Sequence, residues 1–410
     1  MESQNSVQLR HGKTPRLPWR HRRLRGSCVL ALALLCWNVQ AGGISCNVQG
    51  VFELLEFQKF LFPTLALCGG LILHALGVGE AAILMVYCGA QAGMNLYMKS
   101  VLSETMVDEK LQGIPIGFLL TSIQQFVAFA AFAAFVLFSH LAGRGYKPKP
   151  LRTAKEVLMV IGFSMAFAVN IGLNNFSLSL LAISVNVIIR ACLPLATAVT
   201  DVAVKACMGH GCRSPISKWQ WVLMVLGVIS AAVASYSKKP PQGESEDFVL
   251  GLCSGVGSLF AAALNMVLAG VLCSRLNSVD TTCYMALPAG LTMLLPALYT
   301  THAVTKWPGL EPMTDWEVFQ EVWERNSWAL VPVFLSGFLA FGYNVLQYYL
   351  VSQLSATHVS FAGNFNTAAT IVVSLLVGID SLPEWPRGLV FLLAILVNIA
   401  AFSGFTALKT

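Results

Sequence analysis

The sequence predicts an all-α membrane protein with ten spanning helices in two halves of five. Hydrophobic residues make up 56% of the 410 residues and charged residues only 11%, whereas soluble domains carry about 25% charged residues. The apolar residues form runs of about 20, which is the length of a helix that crosses a bilayer. Loops rich in Lys and Arg alternate with acidic loops, as expected for the two sides of a membrane.

The amino-terminal segment 1–43 has the order of a targeting sequence. Several arginines precede the apolar run 28–37, and the small residues 41–43 follow it. This order favours a signal sequence, and a retained membrane anchor is the alternative. An extension, 44–79, comes next, and only two residues separate its apolar part, 60–78, from the following span. If this part enters the membrane, we expect it to form an extra helix in a tight hairpin.

The predicted spans divide into two sets of five. The polar stretch 237–247 (SKKPPQGESED) is the widest break between them, and its paired prolines and charges mark it as a loop. It separates a first repeat, 80–236, from a second repeat, 248–410. The predicted spans are 81–101, 114–139, 157–176, 178–200, 219–236, 248–273, 281–300, 328–350, 356–377 and 388–407.

Loop charges predict how these spans are oriented. The connections after the second and fourth spans are basic, so we expect them on the cytoplasmic side, and those after the seventh and ninth are acidic. Because each half has an odd number of spans, the halves have opposite orientations. This is an inverted-repeat plan, in which a binding site lies near the membrane midplane. The charges are Arg144, Lys147, Lys149, Arg152, Lys155, Lys205, Arg213 and Lys218 on the basic side, and Asp315, Glu317, Glu321, Glu324, Asp380 and Glu384 on the acidic side.

Arg190 is the main candidate for a functional residue, because it lies at the centre of an otherwise uncharged apolar run, 178–200. A charged side chain there costs about 3 kcal/mol on insertion scales, so it should face a protein cavity rather than lipid. Asn186 lies four residues earlier and Pro194 four residues later, on the same helix face. We interpret Arg190 as an anion-binding group, and a structural arginine that snorkels or caps backbone carbonyls is the alternative.

Other spans also carry polar residues at helical spacing, which is costly in lipid unless they face each other or water. They predict an interior polar path, although hydrogen bonding between helices is the alternative for each residue taken singly. These residues are Gln91, Asn95 and Tyr97 on the first span, Asn170 and Asn174 on the third, Tyr343, Asn344, Gln347 and Tyr348 on the eighth, and His358, Asn364, Asn366, Thr367 and Thr370 on the ninth.

The chain shows few signs of other chemistry. It has no HExxH, GxSxG or Walker motif, so an enzyme is not predicted. Nor is a nucleic-acid partner, because basic and aromatic residues are not interleaved. Cys207, His210 and Cys212 offer too few ligands for zinc at no recognised spacing, so we predict no metal and no cofactor. Asp201 and Lys205 are spaced as an i, i+4 ion pair at a helix end.

Three segments resemble the triose-phosphate and nucleotide-sugar translocator branch of the drug/metabolite transporter superfamily. They are MNLYMKSVL (94–102), NIGLNNFSLSLLAISVNVIIRACLPLATAV (170–199) and SATHVSFAGNFNTAATIVVSLLVG (355–378). The resemblance covers about 81–409 and includes TTCYMALPAGLTMLLPALY (281–299). It implies ten helices in two inverted halves, alternating access, and exchange of an organic phosphate or nucleotide-sugar for phosphate or a nucleoside monophosphate.

The resemblance also implies roles for single residues. Arg190 matches the basic position of the family's fourth helix, which meets the substrate phosphate, and a guanidinium can bind phosphate through two hydrogen bonds. Lys99 matches the lysine that ends the family's first helix. At Thr367 relatives commonly have lysine, and Ala368 replaces the arginine of plastid phosphate translocators. This loss of cationic residues weakens the triose-phosphate interpretation, because a desolvated dianion requires more than one cation.

From these observations we expect an antiporter of a phosphorylated sugar or nucleotide-sugar. A plastid-type triose-phosphate/phosphoenolpyruvate translocator and a non-transporting, carrier-like receptor or scaffold are the alternatives. The expected partners are the organic phosphate and the lipid bilayer, and a homodimer is left open. The signal-like start favours the Golgi or endoplasmic reticulum membrane, with the plastid envelope second. The candidate substrate-binding residues are Arg190, Asn186, Thr367, Thr370, Tyr343, Asn344 and Lys99.

Overall fold

The computed structural model describes most of the chain after residue 60. The described residues are 61–103, 105–108, 111–143, 145–180, 183–207, 216–238, 248–302, 304, 307, 311–376 and 383–408. The predicted leader 1–43 lies outside them, as do His210, Cys212 and most of the linker 237–247. For Lys99, Thr367 and Thr370 the backbone is described but the side chain is not.

The described chain is almost entirely helical, with two small antiparallel ribbons. The ribbons are β1 (Met106–Asp108) with β2 (Leu111–Gln112), and β3 (Thr301–His302) with β4 (Met313–Thr314). A short 3-10 helix, Ser327–Leu330, precedes α11. The α-helices are α1 (Leu61–Ala75), α2 (Gly79–Ser103), α3 (Gly117–Leu141), α4 (Ala154–Leu180), α5 (Ile183–Ala191), α6 (Leu193–Cys207), α7 (Lys218–Lys238), α8 (Phe248–Cys273), α9 (Ser278–Tyr299), α10 (Asp315–Asn326), α11 (Val331–Gln353), α12 (Ala356–Leu376) and α13 (Arg387–Ala407).

These helices confirm the predicted fold class. Each predicted span coincides with a helix, or with the broken pair α5–α6. Six helical segments of the described chain are long and apolar enough to cross a membrane, so the protein is an integral, multi-pass membrane protein. The segments are Gly117–Leu141, Ala154–Ser177, Val249–Cys273, Ser278–Tyr299, Asp315–Gln353 and Arg387–Ala407.

Helix packing follows an approximate two-fold pattern between the halves. The second helix of one half packs on the second of the other (α3 on α9), and the fifth packs on the fifth (α7 on α13). The third helix of each half packs on the first of the other, as α4 does on α8 and α11 on α2. This exchange of equivalent contacts is what two inverted five-helix repeats produce. The exact domain boundaries stay predictions.

The fourth predicted span is broken, which the sequence analysis did not predict. Its two parts, α5 and α6, meet at Cys192, whose N–H donates to the Ile189 carbonyl at 3.0 Å in a tighter, i to i−3 bond. Pro194, two residues further on, lacks the N–H that a continuous helix needs and crowds the preceding turn. The break therefore follows from the proline. It occurs directly after Arg190.

The extra amino-terminal segment is helical, as predicted. Helix α1 packs antiparallel along α2 after a turn at Gly77, whose φ of 84° favours glycine. The two helices approach so closely that a Cβ on Gly89 would lie 2.9 Å from the Pro63 carbonyl oxygen. Larger residues at position 89 would force α1 and α2 apart.

A compact cap covers one end of the helices. We call β1–β4 together with α10 the cap. Its core contains Trp307, which is 1% exposed and donates its indole N–H to the Gly113 carbonyl at 3.1 Å. Asp315, at the start of α10, accepts hydrogen bonds from the backbone N–H groups of Phe118 and Leu119 in the first turn of α3. The cap is thereby fixed to the bundle.

Candidate functional site

A polar cavity of about 590 Å³ lies among the helices. Helices from both halves line it, as an inverted-repeat carrier requires. Its walls are rich in amide side chains and contain three tyrosines, but Arg190 is the one charged residue among the described lining. The polar lining residues are Tyr87, Gln91, Asn95, Asn170, Asn174, Asn186, Arg190, Asn265, Tyr343, Asn344, Gln347, Tyr348, Ser360, Asn364 and Asn398.

Arg190 is held in this wall by neutral oxygen atoms. Its Nε donates to Asn174 Oδ1 at 2.8 Å, and its Nη2 donates to Asn170 Oδ1 at 3.1 Å and to Ser258 Oγ at 3.2 Å. Within the described part of the chain, no carboxylate forms an ion pair with it and Nη1 forms no hydrogen bond. A guanidinium stays protonated at physiological pH. The neutral partners orient this side chain, and its positive charge is left to attract an anion.

The same hydrogen-bond network includes Asn186. Its Nδ2 donates to Asn174 Oδ1 and to Ser177 Oγ, both at 3.3 Å. Ser258 Oγ also donates to the Asn170 carbonyl at 2.9 Å, which ties α8 to α4. The predicted face of Asn186 and Arg190 therefore meets the predicted face of Asn170 and Asn174. Three residues on two neighbouring helices, Asn170 and Asn174 of α4 and Ser258 of α8, thus orient one cation.

A side chain of the second repeat stabilises the helix break next to Arg190. Asn364 of α12 donates its side-chain N–H to the Ala191 carbonyl at 2.7 Å. That carbonyl ends α5, where the regular helical bonds stop. Asn366 donates to Gln91 Oε1 of α2 at 3.1 Å. Asn364 of the second repeat thus satisfies irregular backbone in the first, which is tolerated at membrane depth where it lines a cavity.

A pair of tyrosines supplies a flat surface. Tyr87 of α2 and Tyr343 of α11 lie with ring centroids 6.0 Å apart and planes inclined by 15°. Asn344 lies next to this pair in sequence and is buried in the lining. Aromatic faces bind planar or weakly polar ring surfaces, and amides supply both donors and acceptors. The cavity therefore combines one anion-binding group with surfaces suited to a sugar or a nucleobase.

The predicted site residues have different outcomes. Arg190, Asn186, Tyr343 and Asn344 line the cavity, and their role in binding stays a prediction. The side chains of Thr367, Thr370 and Lys99 lie outside the described residues. Sequence reasoning missed Tyr87, Asn265, Asn398 and Ser258, although an isolated asparagine in an apolar span, as at Asn265 and Asn398, is itself a signal of an interior face.

Metal ligands are not gathered in the described residues, where no group of three or more His, Cys, Asp or Glu side chains lies together. His210 and Cys212 lie outside them. The predicted pair of Asp201 and Lys205 is present, with 2.6 Å between Oδ2 and Nζ. It lies on α6 and does not line the cavity.

Comparison with known proteins identifies two transporters. The chain is 27% identical over 248 residues to a probable sugar phosphate/phosphate translocator of Arabidopsis thaliana, covering 59% of this chain and 72% of the relative. It is 25% identical over 225 residues to a GDP-mannose transporter of the same organism, covering 53% and 58% respectively. No family model matches the chain. A solved crystal structure aligns with 81% of this chain and 96% of its own at 15% identity, with a TM-score of 0.49.

The resemblance seen in the sequence is therefore confirmed. Both curated relatives are transporters of the drug/metabolite transporter superfamily. Neither is an enzyme by description, which agrees with the absence of catalytic motifs in the sequence.

Proposed function

We propose that this protein is a secondary carrier that exchanges a phosphorylated sugar or nucleotide-sugar for phosphate or a nucleoside monophosphate by alternating access. One observation carries the proposal. Arg190 presents an unneutralised guanidinium in a cavity shared by both repeats, held only by neutral oxygens among the described residues. Phosphate oxygens are the natural partners of such a group, because a guanidinium offers several N–H donors together with its charge.

The cavity favours a nucleotide-sugar or a larger sugar phosphate over a triose phosphate. A triose phosphate is a compact dianion, and Arg190 is the one cation among the described lining residues. Leaving part of a dianion unpaired in a desolvated site is costly. A nucleotide-sugar is also a dianion, but its two charges lie on separate phosphate groups, and it presents ring surfaces and hydroxyl groups that the Tyr87–Tyr343 pair and the surrounding amides can bind. The GDP-mannose transporter among the relatives supports this order of preference.

The signal-like amino terminus supports the Golgi or the endoplasmic reticulum as the compartment, with the plastid envelope as the second proposal. In that topology the basic connections 144–155 and 205–218 face the cytoplasm, and the cap faces the organelle interior. Nucleotide-sugars are made in the cytosol and used inside these organelles. An exchanger would import the donor and export the nucleoside monophosphate left after sugar transfer.

The test is counter-exchange in proteoliposomes. Vesicles are preloaded with phosphate or a nucleoside monophosphate and offered radiolabelled triose phosphates, phosphoenolpyruvate or a panel of nucleotide-sugars. We expect uptake of one class that depends on one internal anion. Arg190→Gln should lower it about 100-fold, because a charge-assisted hydrogen bond to phosphate is lost, whereas Arg190→Lys should retain part of it.

Lys205→Ala is the matched control, because Lys205 is a cation on the adjoining helix, outside the cavity lining. It should leave uptake unchanged. Correct folding of each variant is checked by its unfolding midpoint in detergent. Full uptake by well-folded Arg190→Gln would remove Arg190 from the site. Absence of exchange with every substrate would favour the receptor or scaffold alternative.

A further inference from the structure

Helix α10 has a second apolar face, which the cap covers only in part, at Phe319. One face packs into the cap core through Val318 and Val322, both of which are 0% exposed. On another face Trp316, Phe319 and Trp323 follow each other at positions i, i+3 and i+7. These three rings form a stacked series, with centroids 5.7 Å and 6.4 Å apart. Phe319, the middle ring, is partly buried against the cap core, whereas the two tryptophans are exposed.

The aromatic face is exposed to the surroundings. Trp316 is 41% and Trp323 is 58% exposed. Two exposed tryptophans on one short helix are unusual for a surface in water, because each ring offers a large apolar area. This area requires a partner that accepts aromatic rings along the length of a helix.

The remaining face of α10 is charged. Glu317, Glu321 and Glu324 lie on it, and Arg325 binds Glu321 through a 2.6 Å contact. At 100° per residue, the buried, aromatic and acidic faces are centred about 120° apart. A helix that touches protein on one side, a membrane on the second and water on the third has this arrangement. An amphipathic helix that lies in the plane of the interface has this division into faces, although the polar face of α10 carries glutamates in place of Lys and Arg.

The position of α10 in the chain fits the same partner. The 3-10 helix separates it from α11, which lies in a membrane-spanning segment and exposes Val331, Phe334 and Phe338 along one stripe. Trp328, 77% exposed, lies between the two helices. The exposed apolar series therefore runs from the lipid-facing surface of α11 into the aromatic face of α10. Tryptophan is enriched where acyl chains meet headgroups.

We infer that the aromatic face of α10 binds the headgroup region of the bilayer and seats the cap on the membrane. The inference is independent of the transported substrate. Because Asp315 joins the start of α10 to the first turn of α3, lipid contact at Trp316 and Trp323 holds the cap and the bundle in one position. A second protein copy on this face is the competing occupant that the experiment must exclude.

The test uses tryptophan fluorescence of the full-length protein in phosphatidylcholine vesicles, with and without brominated phosphatidylcholine as a contact quencher. Trp316→Phe and Trp323→Phe preserve an aromatic ring, so both variants should fold. Subtracting the emission of each variant from that of the unmodified protein gives the emission of the tryptophan that the variant lacks. We expect brominated lipid to remove about half or more of the emission of Trp316 and Trp323. Aqueous iodide should have a weaker effect on both.

Trp307→Phe is the matched control, because Trp307 belongs to the same cap but is 1% exposed in its core. Brominated lipid should leave the emission of Trp307 unchanged. Quenching of Trp323 by iodide and not by brominated lipid would place the face in water and overturn the inference. Protection of Trp323 from both quenchers, with cross-linking of two copies through position 323, would assign the face to a protein partner and also overturn it.

Discussion

The two ends of the α3–α9 pair are both fixed by a buried aspartate, but through different partners. At the cap end, Asp315 is 1% exposed, and its Oδ2 accepts from the N–H groups of Phe118 and Leu119 at 2.7 and 2.8 Å. At the opposite end, Asp280 in the first turn of α9 is also 1% exposed. It accepts from the Tyr146 hydroxyl at 2.8 Å and from the Lys149 N–H at 3.2 Å.

The two arrangements share a principle and differ in detail. Each aspartate lies at a helix N-terminus, where a negative charge is favoured by the helix dipole. Each also ties a connection of one repeat to a helix of the other. Yet Asp315 binds backbone groups buried at the start of α3, and its Oδ1 lies 2.7 Å from His302 Nε2. Asp280 instead binds one backbone N–H, of Lys149, and two side chains near the surface, of Tyr146 and Asn277. The two-fold symmetry therefore holds for helix packing and not for individual bonds.

The largest effect is expected from Asp315→Ala. The change leaves two first-turn amides of α3 without their acceptor in a buried site, and it removes one partner of His302. Loss of one member of such a buried group costs about 3 kcal/mol or more. We expect a clear fall in the thermal unfolding midpoint of the purified protein in detergent.

Glu324→Ala is the control for this change, since Glu324 is an exposed acid on the same helix. Its effect should stay within about 0.5 kcal/mol. Equal midpoints for Asp315→Ala and the unmodified protein would show that the cap end is not held by this carboxylate.

Asp280→Ala should lower stability less than Asp315→Ala does. Tyr146 and Asn277, two of its donors, reach the surface and can bind water instead. We expect the free energy of local unfolding of the connection 145–152 to fall by about 1.4 kcal/mol. Local opening of that size raises the rate of tryptic cleavage after Arg152, which is followed by Thr153, about tenfold. Mass spectrometry of the fragments measures it.

Comparison of the two aspartate variants tests whether the two ends of the α3–α9 pair open independently. Asp315→Ala should leave the cleavage rate after Arg152 unchanged, because its contacts lie at the other end of the α3–α9 pair. If both aspartate variants open the connection equally, the two ends are coupled and the comparison is wrong.

Much of the helical framework could be predicted from the sequence, because membrane spans require apolar runs of defined length. The predicted span 281–300 and the observed α9 (Ser278–Tyr299) differ by three residues at most. Helical spacing predicted that Asn170 and Asn174 share one face and that Asn186 and Arg190 share another, but it did not predict that these two faces meet.

Two kinds of feature escaped the sequence analysis. The sequence analysis places the acids of α10 in a connection between two spans, on the basis of their charge. It does not use the 3.6-residue spacing of Val318, Val322 and the tryptophans, which indicates a helix. The roles of Asp280 and Asp315 were not predictable, since their partners lie 131 and 197 residues away. No local pattern identifies a partner at such a separation. The break between α5 and α6 differs in this respect, because Pro194 in the sequence indicates an interrupted helix.

The smallest predicted effect isolates a single hydroxyl group. Tyr146→Phe removes the donor to Asp280 Oδ1 but keeps the ring, which packs on Phe132 and Phe135 with centroids 6.2 and 5.4 Å away. One hydrogen bond contributes about 1 kcal/mol, so cleavage after Arg152 should rise roughly fivefold. Tyr299→Phe, an exposed tyrosine at the cap end, should leave the rate unchanged. A rise as large as that of Asp280→Ala would mean that Tyr146 alone closes this end, with the Lys149 N–H contributing nothing. No rise at all would show that ring packing holds the connection, and the contrast between the two aspartates would then rest on Asp315 alone.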